Sequence, residues 1–113
     1  MLVLFPRLLT FIQVSTETAR FYEGMHPLLD SVPEHIKLGA LTNACVAYAE
    51  ALLHSNNQVL KRFLSVRGAD NVPAPKPNPD GLLVCCKEMG LDPSECVYIG
   101  DSPSDAMAAQ AAG

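Results

Sequence analysis

Residues 96–113 read CVYIGDSPSDAMAAQAAG, and the rest of the chain is laid out around them. Cys96, Val97, Tyr98 and Ile99 form a short apolar run of the kind that makes a buried strand. A tight acidic turn over residues 100–105 follows, and an alanine-rich helix completes the stretch. Ser102 and Pro103 supply the helix start: a hydroxyl N-cap, then proline at the first helical position, where its missing N–H costs nothing. Asp105 stands three residues after Ser102, the reciprocal place in a capping box, so capping alone would account for it. Asp101 has no such duty. It follows a buried strand and precedes the cap, at the strand edge where open α/β sheets bind their ligands.

Upstream, residues 67–81 (RGADNVPAPKPNPDG) hold four prolines in a fifteen-residue loop. Long loops in compact domains carry function or are disordered, and the prolines argue for a rigid, extended path. Lys76 stands between Pro75 and Pro77, just before a helix. A lone lysine is ordinarily solvated; one fixed in this way is a candidate positioned charge. Asn78 and Pro79 open that helix, Leu82, Cys85, Cys86 and Met89 form its inward stripe, and Gly90 ends it.

Residues 36–41 form a mostly apolar strand, as expected of a parallel strand covered on both faces. Thr42 ends it, and Asn43 is placed to cap a helix over 44–54. Thr42 is therefore either a β-branched strand terminus or, at a helix N-terminus rich in free N–H groups, an anion contact. Residues 25–32 have helical spacing, 55–58 (SNNQ) are a loop, and 63–66 (FLSV) make a short strand. The order from residue 36 is strand, helix, strand, loop, helix, strand, helix, which is a doubly wound α/β pattern with a parallel sheet.

Composition sets the outer bounds. A chain of 113 residues, 49% hydrophobic, is one domain or part of one with a real core. A net charge of -4 offers no basic footprint for nucleic acid, and it leaves anionic substrates open, since positive groups need only be local. Cys45, Cys85, Cys86 and Cys96 lack C-x-x-C spacing and read as small buried hydrophobes in a reducing compartment, the cytoplasm by default with an organelle still open. His26, His35 and His54 are scattered and read as surface or packing residues. The apolar residues 1–14 lack the charge pattern of a signal peptide and are too short to span a bilayer. Residues 1–20 are expected to be a helical segment, broken at Pro6 and packed against something else.

Taken together, LGALTN, KPNPDGLL and YIGDSPSDAMAAQAAG resemble, in order, the second, third and fourth motifs of the haloacid dehalogenase superfamily, in its phosphoglycolate-phosphatase-like branch. The likeness covers roughly residues 22–113. It implies a partial Rossmann-like core over 21–113, with residues 1–20 as the remnant of a helical cap. By that likeness Thr42 and Asn43 hold a phosphoryl group, Lys76 neutralises it, and Asp101 and Asp105 serve Mg²⁺. The implied partner is a small phosphorylated metabolite. These roles suit phosphoryl transfer, which needs positive charge and donors around three oxygens.

The family's first motif, D-x-D-x-T, supplies the attacking aspartate, and these 113 residues contain no such run. Asp30, the sole aspartate ahead of Thr42, is followed by Ser31, Val32, Pro33 and Glu34, and lies on an expected helix. The family places the first-motif strand between the strands that end at Thr42 and begin at Cys96; without it those two edges would lie open. Two functions are therefore expected: a piece of a magnesium-dependent phosphatase, inactive alone, or a non-catalytic module that keeps the phosphate and metal cradle.

Overall fold

The computed structural model describes residues 2–6, 8–11, 21–54 and 60–113. Along them run β1 (Leu2–Pro6), β2 (Leu8–Phe11), α1 (Met25–Ser31), β3 (Leu38–Leu41), α2 (Val46–His54), β4 (Phe63–Arg67), α3 (Asp80–Met89), β5 (Cys96–Val97) and α4 (Pro103–Ala112). Short 3₁₀ turns, Leu60–Arg62 and Pro93–Glu95, lead into β4 and β5.

The α/β class follows from how β3 is buried. All four of its residues are covered, which requires layers on both sides of the sheet. On one side Leu38 and Ala40 join Met25, Leu29 and Val32, Ala49, Leu52 and Leu53 of α2, and Phe63. On the other, Leu41 joins Leu82, Cys85 and Met89 of α3 and Ala108 of α4. β3 and β4 pair in parallel, Leu41 opposite Arg67, with α2 as the crossover between them. The Leu82, Cys85, Cys86 and Met89 stripe is buried as its spacing predicts, and Gly90 takes the left-handed conformation (φ 65°) that closes α3.

Several expectations are corrected. Over 2–6 and 8–11 the N-terminal segment is a pair of antiparallel strands, not a helix; residues 12–20 and the expected 55–58 loop lie outside the described residues. The segment is apolar with no polar stripe to face water, and Pro6 would break a helix interior. β1 also takes the place expected to be open. It runs antiparallel to β3 (Leu2 opposite Leu41, Val3 opposite Ala40) and to β5 (Phe5 opposite Val97, Pro6 opposite Cys96). The parallel pairing expected from residue 36 onward holds for β3 and β4, and β1 adds antiparallel pairs to the same sheet. β5 stops at Val97, and Tyr98 and Ile99 turn into the second core.

α2 begins at Val46, two residues later than Asn43 capping would require. Its start is held from another loop: the Asp70 carboxylate accepts from the Val46 N–H at 2.7 Å, and the Ala69 N–H donates to the Ala44 carbonyl at 2.9 Å. Gly68 permits that approach, because a Cβ there would fall 2.2 Å from the Val46 nitrogen.

Candidate functional site

The carboxyl ends of β3 and β5, the 68–79 loop and the start of α4 carry the candidate residues. Thr42 follows β3 and is buried; its N–H donates to the Arg67 carbonyl at 3.0 Å, and its Oγ1 accepts from the Ala44 N–H at 3.0 Å. Asn43 is not a helix cap. Its side-chain amide pairs with the main chain of Lys76 in both directions, Nδ2 donating to the Lys76 carbonyl and Oδ1 accepting from the Lys76 N–H, each at 3.0 Å. The β3 terminus thereby grips the proline-rich loop at its lysine. The Lys76–Pro77 peptide bond is cis.

Lys76 points inward. Its side chain is 6% exposed, and its Nζ donates to Asp105 Oδ1 at 2.5 Å. The ammonium also sits 5.9 Å from the centre of the Tyr98 ring, within cation–π range. A buried ammonium is tolerated only when paired in this way.

Asp105 is 2% exposed and fully engaged. Oδ1 accepts from Lys76 Nζ and from the Tyr98 hydroxyl at 2.6 Å; Oδ2 accepts from the Ser102 N–H at 3.0 Å and the Ser102 hydroxyl at 2.7 Å. A carboxylate has about four lone-pair sites, and four donors fill them. Burial alone would raise the Asp105 carboxyl, but the hydrogen bonds from Lys76, Tyr98 and Ser102 outweigh it and hold the group well below the usual carboxylate range. Burial, and then the bond to Asp105, pushes the Tyr98 phenol well above its ordinary value. The capping box read from the sequence is present, with Ser102 and Asp105 bonding reciprocally. Asp105 performs that task and anchors Lys76 at once, and these four bonds engage both of its oxygens.

Asp101 is the opposite case. It is exposed, and among the described residues no donor or cation holds its carboxylate. Gly100, before it, lies so close to Asp105 that a Cβ would stand 2.3 Å from the Asp105 Cβ. Among the described residues no three His, Cys, Asp or Glu side chains gather in a way that could hold a metal ion. Asp101 is thus one open carboxylate, short of a complete site.

The structure links Asn43, Lys76, Tyr98, Ser102 and Asp105 by direct bonds, with Thr42 and Asp101 as chain neighbours of that network. Tyr98 and Ser102 escaped assignment to the site. The available signal was position: a phenol at the end of the strand that enters the acidic turn, and the hydroxyl already read as a cap.

The family model described as Haloacid dehalogenase-like hydrolase matches residues 7–113. Phosphoglycolate phosphatase of Escherichia coli (strain K12) is 38% identical over 78 residues, covering 69% of this chain and 31% of that protein. The phosphoglycolate phosphatase of Salmonella paratyphi A is 37% identical over the same shares. A crystal structure of a HAD-superfamily hydrolase, subfamily IA, variant 1, from Geobacter sulfurreducens aligns with a TM-score of 0.74 at 32% identity, covering 81% of this chain and 43% of that one. The chain spans about a third of the length of the curated relatives it matches.

Proposed function

The chain belongs to the haloacid dehalogenase-like hydrolases, and we propose that it carries the phosphate-holding and metal-facing half of a phosphatase site for small phosphate monoesters. The observation that supports this reading best is the buried Lys76–Asp105 pair, tied by Asn43 to the strand end at Thr42. One of the three Lys76 donors is spent on Asp105, which leaves two for phosphoryl oxygens. Thr42, the chain neighbour of Asn43, adds a hydroxyl. The cation is fixed before any ligand arrives, so no reorganisation is needed when charge develops. Magnesium, when bound, would neutralise phosphoryl charge; it binds through one or two carboxylates and several waters. Asp101 is the carboxylate that the described residues offer, one ligand falls short of a site, and the attacking aspartate of a D-x-D-x-T motif is not among these 113 residues. Two of the relatives, phosphoglycolate phosphatases by name, support that substrate class.

The expected result is that this polypeptide with Mg²⁺ and p-nitrophenyl phosphate shows no turnover above background. Turnover abolished by Asp101→Ala would overturn the assignment of the nucleophile to a missing motif.

A second reading has its own support. β1 lies between β3 and β5, so the cradle folds without a first-motif strand. A non-catalytic phosphate- and metal-binding module would then give saturable, Mg²⁺-dependent phosphate binding by calorimetry, lost in Lys76→Ala; absence of heat would count against it.

A further inference from the structure

Two thiols outside the proposed site meet each other. Cys86, late in α3, is 3% exposed; Cys96, the first residue of β5, is half-buried; their sulfur atoms are 3.8 Å apart. The other two cysteines stand apart in environment: Cys85 is fully buried, with Ser65 as its hydrogen-bond neighbour, and Cys45 is exposed ahead of α2. The contact is built by the segment between the two residues. Gly90 closes α3, the Leu91 N–H returns to the Cys86 carbonyl at 3.0 Å, and an Asp92–Glu95 capping box fixes the turn that delivers Cys96. A cavity of about 70 Å³ lies against both cysteines, lined also by Leu82, Pro93, Tyr98 and Ala109. Side chains are thus loosely packed where the sulfurs would have to move. A disulfide needs them about 2 Å apart, a closure of the size that side-chain rotation beside such a cavity supplies.

We propose that Cys86 and Cys96 form a reversible disulfide, a redox modification site behind the phosphoryl-holding network. The oxidant is a small disulfide of the glutathione type. The Cys96 thiolate, being the more exposed, attacks one glutathione sulfur. The S–S bond of the oxidant breaks, and the first glutathione leaves with the proton that Cys96 released. The Cys86 thiolate then attacks the Cys96 sulfur of the mixed disulfide, and the second glutathione leaves with the proton from Cys86. The two cysteines lose two electrons and the glutathione disulfide gains them. Burial pushes the Cys86 thiol up to about 12 and raises that of Cys96, so exchange is slow at neutral pH and the pair answers to sustained oxidation. The bond would staple α3, which begins just after Lys76, to the strand that leads into Tyr98.

The test uses the whole chain, equilibrated in a reduced/oxidised glutathione buffer with and without concentrated urea, quenched in acid and digested with trypsin. Cleavage after Lys87 separates the two thiols, so the disulfide appears as a link between peptides 68–87 and 88–113. The expected effective concentration of the pair is about tenfold higher in native buffer than in urea, because the fold holds the sulfurs together. Cys86→Ser and Cys96→Ser each abolish the link, and Cys85→Ser keeps it. A native-to-urea ratio of one or below, or a link that runs through Cys85, overturns the proposal.

Discussion

At the residue scale the molecule turns on Asp105, which neutralises a buried lysine, accepts a phenol and caps a helix. Asp105→Asn keeps the shape and removes the charge, leaving the Lys76 ammonium buried with no counter-ion. Breaking a buried pair in this way costs about 3–5 kcal/mol, to be read as a lower urea midpoint at unchanged slope. The pH dependence has a definite sign. The folded Asp105 carboxyl lies below its unfolded value, so its contribution is complete above about pH 4 and is lost as pH falls toward the folded value. Acid unfolding of Asp105→Asn should lack that part of the slope. Gly100→Ala strikes the same residue by crowding, since the new Cβ would meet the Asp105 Cβ at 2.3 Å; a loss of about 1–3 kcal/mol is expected, and an unchanged midpoint would show that the turn relaxes freely. Sequence alone distinguished the two aspartates by whether a cap explained them, and the structure keeps that distinction while reversing its use: the capping Asp105 is the buried anchor and the uncommitted Asp101 is the open one.

At the scale of elements, helices and strands with local start signals were legible, and those held by distant residues were not. Ser102–Pro103 opened α4 where expected, and the Asn78 side chain accepts from the Asp80 N–H at 2.8 Å at the start of α3. For α2 the local signal, Asn43, misplaces the start, because its side chain bonds the Lys76 main chain instead. The cap of α2, Asp70, lies 24 residues away, and no spacing rule reaches across the sheet to find it. Asp70→Ala should cost about 1 kcal/mol, as the loss of a helix cap does, with the loss concentrated in hydrogen-exchange protection of the first turn of α2. Arg62 does similar work for α1: its guanidinium donates to the Leu29, Val32 and Pro33 carbonyls, at the end of α1 and in the turn after it. A single arginine after Leu60 and Lys61 gives no hint of this from sequence.

At the scale of the whole molecule, the order of elements was readable from residue 36 onward because each strand and helix buries its own periodic face. What was not readable is which strand stands next to which. An apolar N-terminal stretch can serve as a helix on a core or as a strand in a sheet, and the choice falls to the partner that offers unpaired N–H and C=O groups. β3 and β5 offer such edges, and β1 lies along both. A chain shortened to begin at residue 21 should therefore expose the β3 edge beside Leu41 and Ala40, two fully buried residues of the parent. Exposed apolar edges pair with whatever strand they meet. The expected outcome is a lower urea midpoint together with concentration-dependent association in size-exclusion chromatography, while the Lys76–Asp105 pair, built wholly from residues after 70, should survive in whatever fraction stays folded. A shortened chain that remains monomeric with an unchanged midpoint would show that β1 contributes nothing to closing the sheet, and the second reading of function, a cradle completed by its own N-terminal strand, would fall with it.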